Sequence, residues 1–302
     1  MSSPLRLFGV LPLETDPNVI GAALSHDRAL VGLSMLTALA FSFGFLALAG
    51  QSGKREGSVG LAWRAASGAL LGLGVWATHF IGMLGLETPL LRAVPLDSGL
   101  QSLAIAIACG VVALAIAAPR AGWLRFGLAG VLIAFGALAM HYWDVLALEI
   151  DAAMRFRPQW VAATAVGAFL TAVITVPVAY ALTTTAQRVL MAAPMGAVIA
   201  GLHYVDMAAS VVVPSPSFAP PAMVVSDFGL AIGIAAIVVL ASAMAAWAAR
   251  RPPPEAANDR GGAAEPIEVT GDPIVMLPRR RGAASNSMMS PSSPKADRDP
   301  IN

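Results

Sequence analysis

The sequence predicts an all-α polytopic membrane protein of about seven transmembrane helices, built from three repeated helix pairs plus one. Three observations carry this. Of its 302 residues 57% are hydrophobic and only 12% charged, and the mean hydropathy is +0.72, against the quarter or so of charged residues in soluble domains. Seven apolar stretches are each long enough to cross a hydrocarbon core, which takes about 20 helical residues. A histidine followed by an aromatic residue recurs with a fixed period of 62 residues, the length of two membrane helices with their joints.

The stretches fall at 28–50, 61–84, 98–118, 123–146, 158–182, 188–210 and 226–249. Prolines punctuate the connections at 85–97 (Pro89, Pro95) and 211–225 (Pro214, Pro216, Pro220, Pro221), where they break helical continuation. In Gly68–Gly74, and in the many Ala and Gly of every helix, small residues suit close backbone packing. Lys54, Arg55 and Arg64 flank the first joint, Arg120 and Arg125 the third, Arg188 the fifth, and Arg250 and Arg251 follow the last helix. By the positive-inside rule these face the cytoplasm. Arg6, Arg28, Arg92, Arg155 and Arg157 lie on the other side among acidic residues, so the expected orientation is N-terminus out and C-terminus in. The domain plan expected is an extracytoplasmic segment over 1–25, a seven-helix membrane domain over 26–250, and a disordered cytoplasmic tail over 251–302, whose Pro, Ser and Ala content is too polar for a core. Residues 1–17 lack the long apolar core and small-residue cleavage site of a secretory signal.

Composition also narrows the function. A net charge of +1 gives no basic field for nucleic acid, so the partner expected is the lipid bilayer. Cys109 is the single cysteine, which excludes internal disulfides and thiolate-rich metal sites. Arg279, Arg280 and Arg281 are fewer than the clusters that mark lipid binding.

The histidines carry the chemistry. His79, His141 and His203 stand in WATHFIGM, AMHYWDV and GLHYVDM, 62 residues apart, near the same ends of the second, fourth and sixth helices and thus at one membrane level. A lone histidine near a helix end is commonly structural. Ionisable groups inside membranes are costly and mark sites, so three at one depth favour a joint role. Residues i and i+4 share a helix face, which sets Met83 beside His79 and Met207 beside His203. Val145 takes the equivalent place after His141, and Met140, its neighbour in sequence, points about 100° away. Asp144 and Asp206, three residues beyond their histidines, add carboxylates on much the same faces. His26 lies beside Asp27 and Arg28 before the first helix, where an exposed capping cluster is the simpler account and a closing ligand the other. Imidazole with thioether suits copper, above all the cuprous ion; the carboxylates keep zinc open, and a bis-histidine haem stays open too.

These residues resemble the MHYT domain, a bacterial integral membrane sensor domain with the repeated element M-H-[FY]-x-G-M. The element is matched as Thr78–Met83 (THFIGM), Met140–Val145 (MHYWDV) and Leu202–Met207 (LHYVDM). The likeness spans roughly residues 20–250, including the opening SHDRALVGLS, with His26, Pro89 and Asp97 at polar or proline positions of the pattern. It departs at Thr78, Leu202, Val145, Asp144 and Asp206. The resemblance implies a seven-helix module of the bacterial cytoplasmic membrane that senses a diatomic gas (oxygen, carbon monoxide or nitric oxide) or a redox signal. Copper would be bound by His79, Met83, Met140, His141, His203 and Met207 near the outer face, with His26, Asp144 and Asp206 as additional candidates. Family members often carry cytoplasmic output modules such as GGDEF and EAL domains, a histidine kinase or a DNA-binding domain. None is visible in the tail, so a separate signalling partner is expected, no catalytic residue is assigned, and homodimerisation is left open. The competing functions are an intramembrane zinc hydrolase using the three histidines with Asp144 or Asp206 as base, and a metal transporter, for which midplane ligands would be expected.

Overall fold

The computed structural model describes residues 5–7, 11–16, 18–21, 24–90, 92–214 and 227–251; the predicted tail from 252 onward lies outside the described residues. Among these, seven helices are long and apolar enough to cross a membrane: α1 (Arg28–Ser52), α2 (Gly57–Leu84), α3 (Leu96–Ile116), α4 (Trp123–Ala147), α5 (Pro158–Ala181), α6 (Thr185–Ala209) and α7 (Asp227–Ala248). Each overlaps its predicted stretch to within a few residues. The protein is a multi-pass membrane protein.

Local chemistry sets the helix ends. Asp27 caps α1 by accepting from the Leu30 amide, and Thr184 with Gln187 forms a reciprocal capping box at α6. Both use side-chain oxygen to satisfy amides that have no partner in the first helical turn. Pro158 opens α5 at its first position, where the missing N–H costs nothing.

The helices pack in a bundle in which α2 is central, in contact with α1, α3, α4, α6 and α7 and the most buried of the seven. The small-residue run of α2 explains one of these contacts. A Cβ added at Gly68 would lie 2.2 Å from the Gly110 carbonyl oxygen of α3, and one at Gly72 would lie 2.4 Å from that of Ala106, so only glycine admits this backbone approach. The predicted close packing is realised between α2 and α3. By contrast, α4, α5 and α7 expose large apolar side chains such as Phe135, Leu170 and Leu240, as lipid-facing helices do.

The C-terminal ends of α2, α4 and α6 meet a feature that helical periodicity did not reveal, a cap of short strands. These are β1 (Leu5–Leu7), β2 (Leu11–Leu13), β3 (Ser25–His26), β4 (Leu86–Glu87), β5 (Arg92–Ala93), β6 (Glu149–Ile150), β7 (Ala152–Phe156) and β8 (Ser210–Pro214). They form a four-stranded sheet in the order β1-β2-β7-β8 and two small ladders, β3 with β4 and β5 with β6. The repeat is written into their register: Ala93 opposes Glu149, and one period later Arg155 opposes Val211. Strands of two to five residues are too short for a clear alternating pattern, which is why the predicted N-terminal segment and joints read as plain loops. Glu14 locks the cap: its carboxylate accepts from Arg155 at 2.8 Å and its amide donates to the Phe156 carbonyl.

Candidate metal centre

His79 lies five residues before the end of α2, and His141 and His203 six before the ends of α4 and α6. Equal spacing within repeated hairpins puts them at one depth, and the bundle brings the three imidazoles together. Nδ1 of His79 is 3.0 Å from Nδ1 of His203 and 3.1 Å from Nδ1 of His141. Ligand atoms of all three lie within 4.8 Å of one another, and all three residues are buried, at most 6% exposed. The sequence expectation of one shared depth is met, and the convergence that it could not establish is present.

Asp144 and Asp206 complete the set in a way the sequence did not suggest. Neither serves the histidine of its own helix. Asp144 Oδ2 sits 3.2 Å from Nε2 of His79, and Asp206 Oδ2 sits 2.5 Å from Nε2 of His141, so each carboxylate faces the histidine of the preceding repeat. A second ring of donors holds the acids. Ser102 Oγ lies 2.8 Å from Asp144 and receives the indole N–H of Trp76 at 3.0 Å. Thr164 Oγ1 and the hydroxyl of Tyr142 each lie 2.9 Å from Asp206 Oδ1. Ser102, Thr164, Tyr142 and Trp76 were missed at the sequence level, although Ser102 and Thr164 are themselves one period apart and a search of polar residues at that spacing would have found them.

The arrangement has a definite electrostatic meaning. A carboxylate this near to Nε2 favours the proton there and leaves the Nδ1 lone pair free, the tautomer used by metal-binding histidines. His79 and His141 then aim lone pairs at each other across 3.1 Å, which is repulsive unless a cation lies between them. For bonds of about 2 Å in tetrahedral geometry the nitrogen separation is about 3.3 Å, close to that observed. Among the described residues no Lys or Arg pairs with Asp144 or Asp206, so the two buried acids also call for positive charge from elsewhere. The donor set fits a small cation with nitrogen preference.

The methionines divide. Met140 lines a cavity of about 100 Å³ that begins at the three histidines and runs between α2, α4, α5 and α6 past Ile133, Ala168, Met195 and Leu202; its wall is almost wholly apolar. Met83 and Met207 join Val145, the residue at the equivalent place, in a separate apolar layer beneath the strand cap with Leu11, Leu86 and Phe156. The centre is therefore sandwiched between an apolar cavity toward the bilayer interior and an apolar layer toward the strands. His26 is not an exposed cap. It pairs with Leu86 in the β3–β4 ladder, is half-buried, and sets its ring edge-on to Tyr204 and His203 with centroids 5.1 and 6.2 Å away. Burial pushes its imidazole below the usual histidine range.

A bundle of repeated hairpins with a buried three-histidine centre below a strand cap is a polytopic membrane module of the kind its family likeness implied. Residues 72–130 match the MHYT family described as a bacterial signalling protein N-terminal repeat, so this part of the chain is an MHYT repeat. It is 30% identical over 196 residues to a bifunctional diguanylate cyclase/cyclic di-GMP phosphodiesterase, MucR, of Pseudomonas aeruginosa, covering 62% of this chain and 28% of that protein. It is 30% identical over 255 residues to the cyclic di-GMP phosphodiesterase NbdA of the same organism, covering 81% of this chain and 32% of that one. An uncharacterized signaling protein of Caulobacter vibrioides is 29% identical over 216 residues, 70% of this chain and 26% of its own. The chain thus spans about a third or less of the length of these curated relatives, and the match covers their MHYT sensor region rather than their catalytic domains. No solved structure gives a significant match.

Proposed function

We propose that the chain is the sensing module of a bacterial membrane signalling system. In this reading His79, His141 and His203 hold a copper ion through Nδ1, and a diatomic gas or a change of copper oxidation state is the signal. The observation that carries it is the convergence of three Nδ1 atoms at the mouth of an apolar cavity. Three neutral imidazoles suit copper better than the oxygen-preferring cations. Apolar cavities stay dry and take up small apolar molecules, as oxygen, carbon monoxide and nitric oxide are. Bound copper would supply a redox-active centre able to ligate such a gas. The chain's own residues do the rest: Asp144 and Asp206 orient His79 and His141, and the cavity wall excludes water.

Both carboxylates being taken up by histidines argues against the zinc hydrolase, since neither is free to act as base. The position of the centre about six residues from the helix ends argues against translocation through the midplane. The distribution of Lys and Arg supports an orientation with the strand cap outside the cell and Arg188 and Arg250 inside, in which output passes to a cytoplasmic partner or domain. The relatives' names make cyclic di-GMP signalling the output class to try first. The test is an optical and electron paramagnetic resonance titration of copper-loaded protein with carbon monoxide and nitric oxide. A gas-dependent spectrum abolished by His141→Ala supports the proposal, and an unchanged spectrum overturns gas sensing.

A further inference from the structure

The period of 62 residues carries a complete arm, not a histidine alone, and the third arm is broken. His79 of α2 faces Asp144 of α4, which Ser102 of α3 supports; His141 of α4 faces Asp206 of α6, which Thr164 of α5 supports. Each hydroxyl stands 42 residues before its acid. Continued cyclically, His203 of α6 needs an acid one period before Asp144, on α2, and a hydroxyl one period before Ser102, on α1. Those positions are Gly82 and Ala40. Gly82 is where the circuit closes in space: a Cβ there would lie 2.4 Å from Nε2 and 2.7 Å from Cδ2 of His203. The ring of His203 thus fills the notch that a carboxylate side chain would occupy, and among the described residues no acid stands against its buried Nε2 as Asp144 and Asp206 stand 3.2 and 2.5 Å from Nε2 of His79 and His141.

We propose that the centre is built asymmetrically, with His79 and His141 as fixed arms and His203 as the exchangeable arm. Asp144 and Asp206 are positioning residues that lock the first two rings with Nε2–H toward the acid and Nδ1 toward the shared point. His203 has no acid of its own: its ring sits in the Gly82 notch and against His26 and Tyr204, and its Nδ1 meets Nδ1 of His79 at 3.0 Å. No carboxylate fixes its tautomer, and with an ion bound its nitrogen would be the one displaced by an incoming ligand. His203 also lines the cavity from which such a ligand arrives. Exchange at this arm is therefore felt by α6 and not by α2 or α4.

The affinity part of this inference rests on the ion-binding reading above; the tautomer part does not. The first measurement is nitrogen NMR of the metal-free full chain, with imidazole nitrogens labelled and signals assigned through single His→Gln variants. The expected result is one locked Nε2–H tautomer for His79 and His141 and, for His203, a ring that is not held as Nε2–H, with the His79 signal unlocked in Asp144→Asn and the His141 signal in Asp206→Asn. The second is chelator competition with cuprous ion and with zinc. His203→Ala is expected to weaken binding by no more than about tenfold, while His79→Ala and His141→Ala weaken it by about a hundredfold or more and each Asp→Asn by about 10- to 100-fold. A locked Nε2–H tautomer at His203 like that of the other two, or a His203→Ala loss as large as theirs, overturns the asymmetry. If the wild type binds neither ion, the ion-binding reading fails, and the tautomer pattern alone decides between fixed and exchangeable arms.

Discussion

His141 and Asp206 show how far a residue pattern carries and where it stops. The period marked both as members of one set, and the i+3 spacing placed Asp144 and Asp206 near their own histidines. In space each acid serves the histidine of the preceding hairpin, because the third residue onward from one histidine turns toward the neighbouring even-numbered helix. Only helix neighbours settle that, and neighbour relations are not written in a single-helix periodicity. The same geometry makes a prediction at this scale. Trp76→Phe removes the indole donor from Ser102 while keeping an aromatic ring, and leaves a hydroxyl whose bond to Asp144 is less constrained. The expected outcome is a loss of ion affinity of a few-fold, smaller than for Asp144→Asn, with no change in the His141 nitrogen signals. Chelator competition and nitrogen NMR check it. Equal losses for the two variants would mean that Ser102 is not held through Trp76.

At the scale of elements, helices were legible and strands were not. A span of about 20 apolar residues is a strong signal, so every helix was located to within a few residues, and Asp27 and Thr184 mark true starts. Strands of two to five residues carry almost no pattern, and the cap was seen only once chain neighbours were known. The α2–α3 contact makes its own prediction. Since a Cβ at Gly72 would fall 2.4 Å from the Ala106 carbonyl oxygen, Gly72→Leu forces the helices apart. The expected cost is at least the roughly 1–3 kcal/mol of an overpacked core, read as a lower midpoint of unfolding in mixed micelles. At Gly127, where nothing lies within 4 Å, the same substitution should be nearly silent.

The strand cap has a pH dependence of its own. The hydrogen bond from Arg155, with that from the Asp16 amide second, holds the Glu14 carboxyl below its usual range. A carboxyl depressed on folding stabilises the folded form above its unfolded pKa of about 4.3, and that contribution is lost as pH falls through the lower folded value. Protection of the β2 and β7 amides from hydrogen exchange should therefore hold from neutral pH to about 5 and fall below about 4. In Glu14→Gln it should be lower at neutral pH and flat through the same window. An acid-induced loss that persists in Glu14→Gln would place the titrating group elsewhere.

For the molecule as a whole, three hairpins of one ancestry-like period wrap their histidines around a common point, and a strand cap and an apolar cavity isolate that point from both sides. The sequence supplied the period, the depth and the membrane class. It could not supply the convergence, which depends on α2, α4 and α6 standing side by side with α2 at the centre. Nor could it separate Met140, in the cavity wall, from Met83 and Met207, in the layer beneath the strands, because all three sit within a turn or so of a histidine in sequence. The account stands on one claim, that the converging Nδ1 atoms hold a cation. The direct test is elemental mass spectrometry of detergent-purified full chain, wild type against His79→Ala, His141→Ala and His203→Ala combined. The account predicts copper near one equivalent in the wild type and none in the triple variant. Equal metal content in the two proteins, or no metal in either after copper loading, would contradict it and leave the histidines as a hydrogen-bonded core.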